Sequence, residues 1–143
     1  MAIRPFPPTQ LAKYPHLSPA DQAIWHPFIA ENPLGFETVA YDVHVGEGAD
    51  LADIELNSFA QDFKLLTQKR IDAVGYTTST IYIIEIKPTA SIIALGQAIV
   101  YTQMYRRTYR PSAALQPTIL TNHADRDIKL AAQSNNVLIL YPT

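Results

Sequence analysis

The sequence predicts an α/β fold in which helices flank a mixed central sheet. The chain has 143 residues, which suits one compact domain, and 48% of them are hydrophobic. Its helical and strand patterns follow the order helix, three strands, helix, strand, helix, strand. Short turns favour antiparallel pairing of the first strands, whereas helical crossovers favour parallel pairing of the later ones.

The first helix is predicted from a cap and a proline. Ser18 is a suitable N-cap, and Pro19 suits the first helical position. Pro27 is expected to break or kink this helix. Before it, residues 1–17 contain four prolines and no periodicity, so they are predicted to form an extended proline-rich arm on a single domain of residues 18–143.

Alternating and apolar segments predict the strands. In residues 37–46 alternation places four residues on one face, and two more strands are predicted at 69–76 and 81–87. Residues 47–63 indicate a loop with a short helix. The four residues expected to share a face are Val39, Tyr41, Val43 and Val45.

In the second half of the chain, the sequence predicts a long helix followed by a strand, a helix and a strand. The long helix is predicted over 91–109, with Gly96 allowing its backbone to approach the sheet. Asn122 is expected to cap the next helix. The remaining predicted segments are a strand at 117–122, a helix at 123–133, a turn at Asn135–Asn136 and a strand at 137–141.

Composition excludes several classes of protein. The absence of cysteine excludes disulfides, thiolate metal sites and cysteine nucleophiles. The first residues lack the apolar core of a signal peptide, and no apolar run approaches the roughly 20 residues that span a bilayer. We therefore expect a cytoplasmic protein without a membrane partner. The net charge of −2 is unevenly divided, because residues 1–60 sum to −6 and residues 61–143 to +4.

The stretch "IYIIEIKP" carries two charges within an apolar strand. Alternation places Glu85 and Lys87 on one face with Ile81 and Ile83. A strand end that meets solvent, or a plain ion pair, would account for this pattern. A buried charge, in contrast, needs a partner or a metal ion.

Asp72 is the candidate partner of Glu85. It lies 13 residues upstream in another apolar strand, and a hairpin could bring the two carboxylates together. Like charges at that distance repel each other unless a cation lies between them. Two carboxylates and several waters suit Mg²⁺, and a nearby Lys87 could contact the attacking water or a phosphate oxygen. This set is plausible for phosphodiester hydrolysis.

Two motifs follow one another along the chain: Asp72 with Glu85-Ile86-Lys87, and then Gln97 and Tyr101, one helical turn apart. Together these motifs resemble the PD-(D/E)XK nuclease superfamily. The Gln-x-x-x-Tyr pair is similar to that of the branch with RecB and lambda exonuclease. The resemblance covers residues 69–105 and implies a restriction-endonuclease-like fold with an αβββαβ core. The proline that gives the superfamily its name is replaced here by Ile71.

The resemblance also implies a role for each matching residue. Asp72, Glu85 and the Ile86 carbonyl would bind Mg²⁺ or Mn²⁺, and Lys87 would orient the water and stabilise the transition state. Gln97 and Tyr101 would position these groups. The superfamily often has a further acidic residue on its first helix, for which the candidates are Glu31 and then Glu37.

Two functions from different classes remain open. The first is a metal-dependent nuclease that acts on DNA. The second is a nuclease-fold component of a phage virion or packaging complex, because the pattern also resembles small phage proteins. In that case the arm would contact other subunits or a second copy, and the location would be the host cytoplasm or the virion.

Arg106, Arg107 and Arg110 are expected to complement the helix dipole. The four histidines show no metal-ligand spacing.

Overall fold

The computed structural model describes residues 3–46 and 69–143. Within them it has the predicted order of elements, so the α/β class is confirmed; the short helix predicted within 47–63 lies outside the described residues. The elements are helix α1 (Pro19–Glu31), strands β1 (Thr38–Val45), β2 (Lys69–Tyr76) and β3 (Thr80–Thr89), helix α2 (Ile92–Tyr109), strand β4 (Ala114–His123), helix α3 (Arg126–Ser134) and strand β5 (Leu138–Leu140).

The five strands form one mixed sheet in the order β1-β2-β3-β4-β5. The pairs β1–β2 and β2–β3 are antiparallel, whereas β3–β4 and β4–β5 are parallel, as the connections predicted. None of the helices in the described part of the chain is long and apolar enough to cross a bilayer.

The two faces of the sheet are covered by different helices. On the first face, Trp25 and Phe28 of α1 pack against β1, β2, β3 and β4. On the second face, Tyr105 of α2 packs against β1, β2 and β3, and Ala98 packs with α3 beside Ile119 of β4. The sheet is therefore buried between α1 on one side and the pair of α2 and α3 on the other.

The N-terminal arm packs against its own domain. Phe6 and Val39 of β1 exchange two main-chain hydrogen bonds of 2.8 and 3.0 Å. Tyr14 is buried, and its hydroxyl lies 2.7 Å from Nδ1 of His26 in α1. Apolar side chains of the arm thus extend the core on the first face of the sheet.

The structure confirms the predicted cap of α1 but not the predicted cap of α3. The Ser18 hydroxyl accepts a hydrogen bond from the Asp21 N–H at 3.1 Å, as expected. The expected cap of α3 is wrong: Asn122 lies inside β4, and Asp125 caps α3 by accepting from the Ile128 N–H at 2.9 Å. Asp125 displaces Asn122 because β4 continues to His123.

Helix α1 continues through Pro27 to Glu31, so of the predicted break or kink at Pro27 the break is wrong. Phe28 and Ile29, directly after the proline, are 1% and 0% exposed. Burial of a side chain of this size contributes about 1.5–3 kcal/mol, which offsets the hydrogen bond that proline removes.

Strand β1 does not keep its apolar side chains on one face, as the alternation had predicted. Val39 and Tyr41 face α1, whereas Val43 and Val45 belong to the core against α2. Asp42 lies between the two pairs with φ of 51°, in the left-handed region that few residues other than glycine adopt. This residue reverses the alternation along the strand.

Gly96 does not bring α2 close to the sheet, contrary to the prediction. It is exposed, and a Cβ added there would meet nothing within 4 Å. The close approach uses Ala94 and Ala98 instead, which are 1% and 0% exposed. Their small side chains lie on the buried face of α2, and Gly96 lies on the outer one.

Candidate functional site

The sheet forks between β2 and β3. Their pairing runs from Tyr76 opposite Ile81 to Ala73 opposite Ile84 and then ends. Beyond this point β2 continues paired with β1, and β3 continues paired with β4. We call the opening between residues 69–72 of β2 and residues 85–89 of β3 the fork.

Asp72 lies at the base of the fork. Its carboxylate accepts a hydrogen bond of 2.8 Å from the main-chain N–H of Ile86 across the gap. The N–H and C=O of one residue in an extended strand point to the same side. The Ile86 carbonyl is therefore also directed toward the fork, where it is available to a ligand.

Glu85 is buried beside Asp72. Continuing the β2–β3 register by one residue places the two opposite each other, and Glu85 is only 2% exposed. Burial, followed by the charge of Asp72, raises the pKa of Glu85 to about 10. Its Oε1 atom is buried and has no hydrogen-bond partner among the described residues. The described residues thus supply an acceptor at this position without a donor for it.

The pKa of Asp72 is also raised, chiefly by burial. The Ile86 N–H and the charge of Lys87 act in the opposite direction, as they favour the ionised form. Lys87 lowers the pKa of Glu85 in the same way. Within the described residues, one cation thus acts on both carboxyl groups, so ionisation of both leaves an excess of negative charge.

Helix α2 places Gln97 beside Tyr101, on which the charges of this pair act. Nε2 of Gln97 lies 3.5 Å from the Tyr101 hydroxyl, and Oε1 of Gln97 is buried without a partner in the described part of the chain. The pKa of Tyr101 is raised by burial and then by the charge of Glu85, with a smaller effect from Asp72. Tyr101 is therefore close enough to both carboxylates for their charges to affect its pKa.

Helix α1 places Asp21 close enough to the pair for its charge to act on both carboxyl groups. Its charge contributes to the raised pKa of both Asp72 and Glu85. Glu31, at the last position of α1, and Glu37, before β1, are both exposed. Asp21 was recognisable in the sequence only as a residue of the first helical turn, because its proximity to the fork depends on how α1 packs.

The chemistry of the fork suits a hard divalent cation. Its potential ligands are oxygen atoms, from Asp72, Glu85 and the main chain of Ile86. Mg²⁺ commonly uses one or two carboxylates and retains several waters. Among residues 3–46 and 69–143, no group of three His, Cys, Asp or Glu side chains is arranged to hold a metal, so water would have to complete the coordination.

A second polar cluster, which the sequence did not predict, surrounds Asp42. Its carboxylate lies 3.2 Å from Nε2 of His16, 3.7 Å from Nε2 of His44 and 3.7 Å from Nε of Arg70. The histidines lack ligand spacing in the sequence, and the shared contact with Asp42 arises only in the fold. The sequence indicated this contact only through the alternation of the strand, which predicts that residues 42 and 44 share a face.

Three basic residues stand at the end of α2. Arg106 and Arg107 are in the last turn, and Arg110 follows the helix with φ of 49°. All three are exposed. Their position suits interaction with the negative end of the helix dipole.

Comparisons with known proteins identify no family for this chain. No protein-family model matches the chain, and no curated protein matches it. Its structure is similar to the crystal structure of a protein of unknown function, AF1548, with a TM-score of 0.45 and 21% sequence identity. The similarity covers 77% of this chain and 51% of the other, so this chain spans about half the length of AF1548.

Proposed function

We propose that the protein is a divalent-cation-dependent nuclease of the PD-(D/E)XK superfamily that hydrolyses phosphodiester bonds of DNA at the fork. The observation that carries this proposal is the half-buried Asp72 opposite the buried Glu85 at the base of the fork, with Lys87 acting on both. Two carboxyl groups in such a position remain ionised only when additional positive charge is nearby. The activity would operate in the cytoplasm, or in the host cytoplasm if a phage encodes the protein.

Asp72, Glu85 and the Ile86 carbonyl would hold Mg²⁺ or Mn²⁺ at the base of the fork. When bound, the cation supplies positive charge to the phosphate and lowers the pKa of water. The main-chain N–H of Ile86 keeps the Asp72 carboxylate in place through the 2.8 Å hydrogen bond. A ligand fixed in this way loses little freedom when the cation binds.

Lys87 would act directly on the reacting phosphate. Its ammonium group would orient the attacking water and donate to a phosphate oxygen as negative charge builds in the transition state. The water oxygen forms a new bond to phosphorus, and the bond to the leaving oxygen breaks. Gln97 and Tyr101 would position the carboxylates, because the charges of both carboxylates already act on the pKa of Tyr101.

An assembly role in a phage particle is the second candidate function. The observation that favours it is the exposure of Ile92 and Ile93 at the start of α2, at 80% and 72%. An exposed apolar pair is a common contact between subunits. The arm offers less for this purpose, because Phe6 and Tyr14 pack against their own domain.

A cleavage assay distinguishes the two functions. The purified protein should cut linear, branched or single-stranded DNA with Mg²⁺ or Mn²⁺ and lose this activity in EDTA. Glu85→Gln should abolish cleavage, whereas Lys129→Ala, on the exposed side of α3, should leave it unchanged. The absence of cleavage on all three substrates would exclude the nuclease and leave the assembly role.

A further inference from the structure

The arm forms one wall of a groove of about 620 Å³ on the surface of the domain. We call this the arm groove. It is lined mainly by Arg4, Phe6, Lys13, Tyr14, His16 and Leu17. Three of these side chains are basic and the others are apolar or aromatic, a combination that suits a ligand with anionic and apolar parts.

The distribution of charge singles out this groove. Arg4 and Lys13 are the only Lys or Arg residues among the first 60, which contain eight Asp or Glu. Both line the arm groove, and both are exposed. Neither forms an ion pair with another residue in the described ranges. The acidic half of the chain therefore presents its two strong cations together, with no counterion among residues 3–46 and 69–143.

Arg4 is held in position by the aromatic wall. Its guanidinium carbon lies 4.7 Å from the centre of the Phe6 ring, which is the geometry of a cation–π contact. Phe6 is in turn fixed by its two hydrogen bonds to Val39. The guanidinium group thus has a defined place while it remains accessible to an anion.

The arm groove leads toward the fork. His16, at its end, contacts the Asp42 carboxylate, and its Nδ1 lies 3.4 Å from Nη1 of Arg70. Arg70 precedes Asp72 by two residues in β2, which is about 7 Å along a strand. Because Arg70 forms an ion pair with Asp42, the positive charge of the groove that has no partner among the described residues belongs to Arg4 and Lys13.

We propose that the arm groove binds the sugar–phosphate backbone of a nucleic-acid strand that continues into the fork. This inference rests on the proposed nuclease function and adds the surface that holds the substrate. Arg4 and Lys13 contact phosphates that flank the reacting one, and the apolar wall accommodates the sugars. The arm then serves as a strand anchor.

Fluorescence anisotropy with a labelled 20-nucleotide single strand and its duplex tests the proposal. The measurement is made in EDTA, so that cleavage cannot interfere, at several salt concentrations between about 50 and 200 mM. For Arg4→Ala/Lys13→Ala we expect an affinity lowered on the order of tenfold or more, and a salt slope reduced by about 1.4 to 1.8, which corresponds to two lost phosphate contacts.

Two control variants show whether the loss of affinity depends on the cations of the arm groove. Arg126→Ala/Lys129→Ala removes two exposed cations from α3 and should leave both the affinity and the slope near the wild-type values. Arg4→Lys/Lys13→Arg preserves the charges and should retain the slope. Circular dichroism confirms that each variant is folded.

The outcomes separate this proposal from the nuclease function. Equal losses in the arm and α3 variants, or no binding by the wild type, would overturn the arm groove as an anchor, whatever the cleavage assay gives. Binding of a mononucleotide as tight as that of the strand would also overturn it, as this would indicate a small-anion pocket. Groove-dependent binding without cleavage would support the anchor and contradict the nuclease.

Discussion

The Asp72 carboxylate accepts the main-chain N–H of Ile86 at 2.8 Å, at the point where β2 and β3 stop pairing. A side chain thereby replaces a main-chain acceptor in the ladder, and the two strands separate around it. The same residue is a candidate cation ligand, so the shape of the fork and its chemistry depend on one carboxyl group.

Asp72→Ala should destabilise the protein more than Asp72→Asn. Alanine leaves the Ile86 N–H without its acceptor, which costs about 1–3 kcal/mol of unfolding free energy. The asparagine oxygen can still accept that hydrogen bond. Urea denaturation measures both effects, and equal stability of the two variants would show that the hydrogen bond does not support the fork.

The stability of the metal-free protein should fall as pH rises between about 4.5 and about 10. Glu85 keeps its proton in the folded chain over this range, whereas in the unfolded chain it releases it. The folded state therefore binds more protons, and Glu85 alone lowers the unfolding free energy by up to about 1.4 kcal/mol per pH unit.

Glu85→Gln should remove most of this dependence, since glutamine does not titrate. Urea denaturation of wild type and variant at about pH 6 and about pH 8 measures the two slopes. If the slopes agree, Glu85 is not protonated in the folded protein at neutral pH.

Lys87→Ala should lower the rate of cleavage about a hundredfold or more, because it removes a charge that stabilises the transition state. The fold should persist, as Lys87 is only half-buried at the open end of the fork. Single-turnover cleavage measures the rate, with Lys129→Ala as the control. An unchanged rate would place the reaction elsewhere in the molecule.

Addition of Mg²⁺ should lower the pKa of Tyr101. Glu85 and Asp72 contribute to its raised value through their negative charge, which a bound cation would offset. NMR titration of ¹³C-labelled tyrosine, with Tyr101→Phe to assign the signal, measures the shift. A titration curve that is the same with and without Mg²⁺ would argue against a cation beside the pair.

Gly75→Ala and Gly96→Ala should change stability in opposite directions. A Cβ on Gly75 would lie 2.4 Å from the Phe36 ring, and such overpacking costs about 1–3 kcal/mol. A Cβ on Gly96 meets nothing within 4 Å, so the helix should gain about 0.8–1.0 kcal/mol. Thermal unfolding of both variants provides the comparison.

Local signals in the sequence were sufficient for the order of elements. Ser18 caps α1 as predicted, α2 begins beside Ser91 at the start of its predicted range, and Thr77–Thr80 forms the turn that leads into β3. Capping and turn formation depend on atoms a few residues apart, which is why a single sequence specifies them.

Features that depend on distant contacts were not predictable in this way. The reversal of β1 follows from the left-handed Asp42, held by His16 and Arg70 from two other segments. The proximity of Asp21 to the carboxylates arises from the docking of α1. For the site, spacing could suggest that Asp72 and Glu85 are neighbours, but the loss of pairing between their strands required the structure.

The contact between Phe6 and Val39 also bears on aggregation. β1 is the outer strand of the sheet, and exposed strand edges are templates for pairing with other chains. Phe6 occupies this edge with two hydrogen bonds, while Pro5 and Pro7 on either side have no N–H with which to extend a ladder. At the opposite edge, β5 has only three residues. Each border of the sheet is thus poorly suited to recruit a further strand, and removal of the arm would open the longer one to self-association.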